Sequence, residues 1–367
     1  MSAAAMSALS KAQKIVLPGQ TPDGQYILSA LVKRTYDIVP GAACFRAAAD
    51  AKLVPGDKYW DDPMNSSLLF ESDFVPWKIA TDVVLNGKAY APNGNPAAAL
   101  TAAIQIGPIQ KQIRVTGDRL ARFTGGLPSF TDPQPFLEID LRYERAYGGA
   151  DIYSDRKMPC LYARNPVGKG FAIRNLREVV DALDLPNLED PGDLLTPNRL
   201  CCGHFMHWEG QPMPQSFGWF AKPWQPRASL AGVMPADRKT EQELRALYAQ
   251  VIPPSQRALY AQTGLPDMNF AFFNGASHGL SVPFLQGDEP ITTFNLTPEG
   301  RLDFSLPGDR PRIGLDIGEG IEEPDVFLHT VMIRMEERQV DLVWRGAIPY
   351  RGPDWFPEMR KLEVLIQ

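Results

Sequence analysis

The sequence has few of the residues from which disulfide scaffolds and metal sites are built. Its 367 residues include only four cysteines and four histidines. Four cysteines in a chain of this length do not make a disulfide scaffold, so we expect reduced thiols and a cytoplasmic location. No stretch approaches the ~20 apolar residues of a membrane-spanning helix. Lys11 and Lys14 interrupt the alanine-rich start, so we expect no signal peptide.

Positive charge is also scarce. The chain has 37 Lys and Arg against 43 Asp and Glu, which leaves a formal net charge of −6. A general nucleic-acid binder needs a basic surface to displace counterions, so we expect no nucleic-acid partner. Since no stretch is apolar enough to span a bilayer, we expect no membrane partner either. Proline and glycine, by contrast, are abundant, with 34 and 30 residues. Because proline breaks helices, this content favours many short strands and structured loops.

Hydrophobic alternation predicts strands at both ends of the chain. In the N-terminal part, polar and apolar residues alternate near residues 32–38, 82–85, 102–106, 112–116 and 135–143. Such alternation is typical of strands with one buried face. The C-terminal strands are predicted from the same pattern, at residues 291–296, 301–306, 326–335 and 339–345.

One segment has the pattern of a helix. Thr240 is a suitable N-cap, and Glu243 three residues later completes a capping box. Apolar residues between Leu244 and Val251 then repeat at helical spacing. The sequence therefore predicts a small helical insertion over residues 237–264.

These patterns together predict a mainly β protein (α+β), with sandwich-like antiparallel sheets, a loop-rich aromatic middle region and a small helical insertion. The same chain could form one continuous domain from residue 21 to residue 367. The predicted units are a flexible N-terminus (1–20), an N-terminal β region (21–149), a loop-rich aromatic region (150–236), the helical insertion (237–264) and a C-terminal β region (265–367).

The aromatic middle region is the predicted contact surface for a partner protein. Its candidate partner-binding residues are Phe217, Trp219, Phe220, Trp224 and Arg227. Tryptophan and arginine dominate the energetics of many interfaces, and neighbouring prolines would stiffen the loop. On this interpretation, Trp224→Ala abolishes partner binding and leaves folding intact. The alternative is that the two tryptophans anchor the loop to the core.

The strongest candidate for a metal site is the group Cys201, Cys202, His204 and His207. Thiolates and imidazoles are zinc ligands, but adjacent cysteines fit poorly on one tetrahedral ion, and no second ligand pair follows. Packed thiols and surface imidazoles therefore explain this group better. We predict no metal site and no cofactor.

Other candidates for chemistry are weaker still. Ser277 and His278 lie in a glycine-flanked loop without the Gly-x-Ser-x-Gly pattern of many serine hydrolases. Residues 168–170 lack the glycine spacing of a phosphate loop. Glu138 and Asp140 share a strand face that is expected to be solvated. We therefore predict no catalytic residues, and a protein that is not an enzyme.

Five short motifs follow one another in a fixed order. Rich in proline, glycine, arginine and aromatic residues, they occupy residues 142–149, 165–171, 185–191, 224–227 and 342–346. They lack the nucleophile–base pairs and ligand groups that catalysis requires. This composition favours binding over turnover.

Four further stretches, at residues 33–36, 78–84, 115–119 and 267–270, complete this series. In order and content, the whole series resembles the domain-of-unknown-function 2169 family, and the resemblance covers most of the chain. Members are typically encoded in type VI secretion gene clusters. The resemblance implies a cytoplasmic bacterial adaptor or chaperone without established catalytic residues. Its partners would be a toxic effector, bound directly or through a PAAR domain, and the VgrG spike onto which the effector is loaded.

The sequence is also compatible with two other functions. One is a hydrolase, either carbohydrate-active or zinc-dependent, which would use the Cys201/His204 group or the paired carboxylates. The other is a structural component of the secretion tip.

Overall fold

A computed structural model describes residues 13–124, 127–152, 159–172, 182–200, 210–237, 266–317, 320–352 and 363–366. Within these ranges the chain forms many strands and several short 3-10 helices. None of the helices in this part of the chain is long and apolar enough to cross a membrane.

The strands vary from two to twelve residues in length, and the longest lie near the two ends of the described chain. In chain order they are β1 Gln13–Gln20, β2 Tyr26–Asp37, β3 Phe45–Arg46, β4 Lys58–Tyr59, β5 Leu68–Phe70, β6 Thr81–Asn86, β7 Lys88–Tyr90, β8 Ala99–Ile106, β9 Ile109–Thr116, β10 Leu120–Thr124, β11 Leu127–Phe130, β12 Glu138–Asp140, β13 Tyr147–Gly148, β14 Ala150–Asp151, β15 Cys160–Leu161, β16 Lys169–Gly170, β17 Ala182–Asp184, β18 Leu188–Glu189, β19 Ser281–Val282, β20 Pro290–Phe294, β21 Arg301–Ser305, β22 Ile313–Asp316, β23 Ile321–Glu322, β24 Val326–Arg334, β25 Gln339–Pro349 and β26 Glu363–Ile366. The 3-10 helices are Pro92–Gly94, Tyr143–Arg145, Arg227–Leu230, Pro235–Asp237 and Phe270–Phe273.

The largest sheet joins the two ends of the described chain. Its order is β1-β2-β25-β24-β6-β19, with β3 paired to the end of β2. All neighbours are antiparallel except β24 and β6, which run parallel. In β2 and β25, seven consecutive residues are buried on both faces. These strands therefore lie at the centre of the molecule, where both faces of the sheet are covered.

A second, antiparallel sheet has the order β18-β9-β8-β20-β21. The main hydrophobic cluster contains residues of both sheets, among them Val32 and Leu342 from the first, and Ile104 and Ile113 from the second. The protein is thus mostly β with several sheets, as the sequence predicts. The finer description as a sandwich stays a prediction.

Most predicted strands are confirmed, including all four in the C-terminal part. The largest difference lies at the start. Residues 13–20, predicted to be part of a flexible N-terminus, form edge strand β1, which pairs with β2 along its whole length. The prediction missed β1 because an edge strand with Pro18 and Gly19 has weak hydrophobic alternation. Residues 1–12 lie outside the described part.

The segment 135–143 follows its predicted pattern only in part. The ladder is limited to β12, Glu138–Asp140, although Ile139, Leu141 and Tyr143 are buried as expected. Leu137 is instead 55% exposed. Tyr143 also belongs to a 3-10 helix, so the chain leaves the sheet sooner than alternation alone indicates.

The predicted helical insertion, residues 237–264, lies outside the described residues apart from Asp237, which ends a 3-10 helix. The middle region, predicted to be loop-rich and aromatic, contains short strands and a second hydrophobic cluster. Tyr147, Tyr162 and Phe171 form the aromatic part of that cluster, with Tyr147 and Tyr162 centroids 5.1 Å apart.

Candidate functional site

Two of the sequence motifs meet in one place, which we call the motif junction (residues 142–149 and 165–171). Strand β13 pairs in parallel with β16, so the two motifs lie side by side. A Cβ atom on Gly148 would lie 2.1 Å from the Asn165 carbonyl oxygen, and one on Gly149 would lie 2.4 Å from the Gly168 oxygen. Both glycines also have positive φ. Only glycine allows the two backbones to approach so closely.

Two buried asparagines hold the junction together. Asn165 donates from Nδ2 to the carbonyl oxygens of Tyr143 (2.8 Å) and Tyr147 (3.1 Å). Asn187, from the motif at 185–191, bonds to the junction at Arg145: its backbone N–H donates to the Arg145 carbonyl oxygen at 2.8 Å, and its Oδ1 accepts from Arg145 Nη1 at 3.2 Å. Its Nδ2 atom donates to the carbonyl oxygen of Thr116. Because buried backbone groups need partners, these amides replace the ladder bonds that the loops lack. The motifs are therefore first of all structural.

A hollow of about 210 Å³ opens at this junction. Glycine backbone forms much of its wall, together with Leu120, Phe171 and Leu183. Ile152 lines the rim and is half exposed, and Leu161 on the paired strand β15 is 57% exposed. Lys169 reaches Asp118 at 3.4 Å, and burial lowers the pKa of this lysine. The hollow thus combines accessible apolar side chains with a charged pair.

The five predicted contact residues occupy a different place. Phe217, Trp219, Phe220, Trp224 and Arg227 are all buried, and the four aromatic residues belong to the main hydrophobic cluster. A partner cannot reach these side chains in this conformation. The alternative interpretation, that the aromatics anchor the loop, is the one that their burial supports.

Two of these aromatics pack against the motif at 142–149. The Tyr143 ring lies edge-on to Trp224, with centroids 5.2 Å apart, and edge-on to Phe220 at 5.8 Å. Phe220 and Trp224 complete the triangle at 5.4 Å. Such edge-to-face pairs add about 0.5–1.5 kcal/mol each to the burial of the rings.

Arg227 is held by a buried carboxylate. Its Nη1 and Nη2 atoms donate to Glu71 Oε2 (2.8 Å) and Oε1 (2.6 Å), and Lys222 lies 3.0 Å from the same carboxylate. Gly275 makes room for this pair, since a Cβ atom there would lie 2.0 Å from Glu71 Oε2. A sequence rich in tryptophan and arginine is compatible with a partner interface and also with a buried, ion-paired core of this kind. The sequence alone therefore could not distinguish between these two environments.

A second buried ion pair, between Lys78 and Asp82, lies within the motif stretch at 78–84. Burial alone would raise the pKa of Asp82, but Lys78 Nζ at 2.6 Å outweighs it and holds that pKa below its usual value. Asp82 also accepts hydrogen bonds from the backbone N–H of Gly275 (3.0 Å) and from Ser281 Oγ (2.7 Å). These two hydrogen bonds connect the stretch at 78–84 to residues 275–281.

Lys111 is the functional candidate that the sequence did not reveal. It is buried on β9, and its Nζ atom donates to Ser277 Oγ (2.6 Å) and to the His278 carbonyl oxygen (2.8 Å). Tyr143 Oη donates to the same Ser277 oxygen at 3.0 Å. Burial lowers the pKa of Lys111 to about 7. A serine next to a neutral amine resembles an activated nucleophile, but Ser277 is fully buried, so a substrate cannot reach it here.

The remaining candidates are quickly placed. Cys201, Cys202, His204 and His207 lie outside the described residues. Glu138 is exposed and pairs with Lys88, as expected of a solvated face. Within the described ranges, no group of three or more His, Cys, Asp or Glu side chains could hold a metal ion.

The described residues therefore form a mostly β scaffold in which residues of the sequence motifs connect neighbouring loops through hydrogen bonds and ion pairs. The model of a family described as "Uncharacterized protein conserved in bacteria (DUF2169)" matches residues 23–345. Because this match spans most of the 367 residues, the chain belongs to that family. No curated protein and no solved structure matches the chain.

Proposed function

We propose that this protein is a cytoplasmic adaptor or chaperone of bacterial type VI secretion. It binds a toxic effector, directly or through a PAAR domain, and helps to load it onto the VgrG spike. The observation that carries the proposal is membership of the family over residues 23–345, since the motifs associated with this role are parts of one scaffold. An adaptor needs such a stable scaffold and an accessible contact surface.

We place that contact surface at the hollow of the motif junction. Its supports are the half-exposed Ile152, which lines the hollow beside glycine backbone, and the exposed Leu161, which pairs with Ala150 of the same lining. An exposed apolar group next to a polar pair is typical of interfaces that release their partner, which are modest in area and partly polar. The buried aromatics at 217–224 belong to the main hydrophobic cluster and are not part of this proposed surface.

The test of the function is affinity capture of the tagged full chain from cells that express its neighbouring genes, read by mass spectrometry. We expect one effector or PAAR-bearing protein to be recovered in near-stoichiometric amount. Recovery of the tagged chain alone, from cells in which the neighbouring genes are expressed, would contradict the adaptor function.

The test of the surface is Leu161→Asp, which places a charge opposite Ala150 of the hollow's lining. We expect capture of the partner to fall at least tenfold, since a charge at an apolar contact costs well over 1.4 kcal/mol. Leu137→Asp is the matched control, because Leu137 is equally exposed but lies beside β12. If both variants capture the partner as the parent does, the surface lies elsewhere.

A further inference from the structure

A cavity of about 370 Å³ lies beside the start of β24 and the end of β25. Arg345 is part of its wall and is only 2% exposed. Arg345 comes from the last sequence motif, and the hollow of the motif junction has other lining residues. This cavity is therefore distinct from the proposed adaptor surface.

The strand register places Arg345 between aromatic rings. Phe327 on β24 and Arg345 on β25 are directly opposite in the ladder, so their side chains share one face of the sheet. The guanidinium carbon lies 3.8 Å from the centroid of Trp77 and 5.1 Å from that of Phe327. Stacking of this kind fixes the plane of the guanidinium and leaves its N–H edges for hydrogen bonds.

Those hydrogen bonds are missing within the described part of the chain. The Arg345 side chain forms no hydrogen bond or ion pair with any described residue, and its Nε atom is fully buried. Burial lowers the pKa of Arg345 to about 10, and no carboxylate opposes that effect. Arg227, which is also deeply buried, has Glu71 as its partner. An unpaired buried cation is costly, and an anion bound beside Arg345 would offset that cost.

The mouth of the cavity has the opposite charge. Glu322 and Asp325 line it and are exposed, and their carboxylates have no ion-pair or hydrogen-bond partner among the described residues. The connection that carries them approaches β25 at Gly346, where a Cβ atom would lie 3.0 Å from Pro324 Cγ. A ligand whose only charge is a carboxylate is repelled by the two acidic residues at this mouth. A ligand that also carries a cation can pair its cation with these residues and its carboxylate with Arg345.

We propose that this cavity binds the carboxylate of a peptide-like ligand on Arg345, while a basic group of the same ligand lies between Glu322 and Asp325. The guanidinium fork matches a carboxylate in two parallel hydrogen bonds. The volume lies at the lower end of the ~300–1,000 Å³ found for ligand pockets. The site does not depend on the adaptor function, because a free amino-acid derivative presents the same two charges.

The probe for this site is Nα-acetyl-lysine, titrated into the purified full chain by calorimetry. We expect a Kd on the order of 1 mM, as is usual for a ligand of this size. Nα-acetyl-lysine amide, without the carboxylate, and Nα-acetyl-norleucine, without the cation, should each bind at least tenfold more weakly. Acetyl-Glu-Lys-amide tests whether Arg345 prefers the carboxylate of an acidic side chain to a terminal carboxylate.

Arg345→Met should abolish binding of every probe, and Arg345→Lys, which keeps the charge and loses the fork, should weaken it about tenfold. Glu322→Gln combined with Asp325→Asn should remove the preference for lysine over norleucine. Arg301→Met is the control, since Arg301 is exposed on β21 and pairs with Asp303. No binding by any probe at 10 mM, or binding that Arg345→Met leaves unchanged, would overturn the proposal.

Discussion

Replacement of Trp224 by alanine separates a supporting role from a contact role. Trp224 is buried and lies edge-on to Tyr143 and Phe220. Burial of a tryptophan removes roughly 150–250 Å² from water, which at ~25 cal/mol per Å² stabilises the fold by about 4–6 kcal/mol. The alanine side chain and partial collapse of the cavity retain some of this stabilisation. We therefore expect Trp224→Ala to lower the free energy of unfolding by about 3–5 kcal/mol.

The assay is urea unfolding followed by far-UV circular dichroism, which does not depend on tryptophan fluorescence. Phe45→Ala serves as the control, because Phe45 is 57% exposed and its loss should change the free energy of unfolding by less than about 0.5 kcal/mol. A loss below about 1 kcal/mol for Trp224→Ala would refute the reasoning. Full stability combined with lost partner capture would restore Trp224 as a contact residue.

Two further predictions concern buried charges. Lys111 has a folded pKa of about 7 and an unfolded value of 10.5, so between these pH values only the unfolded chain binds the proton. The free energy of unfolding should therefore rise by about 1.4 kcal/mol per pH unit across that window, and the slope should vanish in Lys111→Met when urea unfolding is measured from pH 6 to 10. An unchanged slope would show that other groups cause it. Glu71→Gln removes the anion that pairs with Arg227, and we expect a loss of about 3–5 kcal/mol by the same assay. The double variant with Arg227→Met should recover part of this loss, whereas additive losses would show that the two groups act independently.

Much of the sheet structure could be predicted, because alternation and turn residues are local signals. The hairpin turn before Gln339, for example, contains Arg338 at positive φ, and the strands on either side are those expected. Strand β1 was missed because an edge strand has fewer buried positions to mark it. The parallel pairing of β24 with β6 was also beyond prediction, since it joins residues that are far apart in the sequence.

The candidate sites were harder to predict, because burial depends on what packs against a residue. Composition pointed to Trp224 and Arg227 as a surface, yet Tyr143 and Glu71 cover them from distant parts of the chain. Lys111 gave no local signal, since its partner Ser277 lies 166 residues away. The same holds for Arg345, whose cavity depends on Trp77.

By itself the sequence determined that the chain is mostly β, where several of the longer strands lie, and which family it belongs to, because these properties follow from local patterns and from the order of its motifs. Only the tertiary structure decided which aromatics and charges are reachable. It buried the predicted contact residues and left the Arg345 side chain without a partner among the described residues at a cavity. The physical reason is that accessibility and charge pairing arise from contacts between distant segments, which no local pattern records.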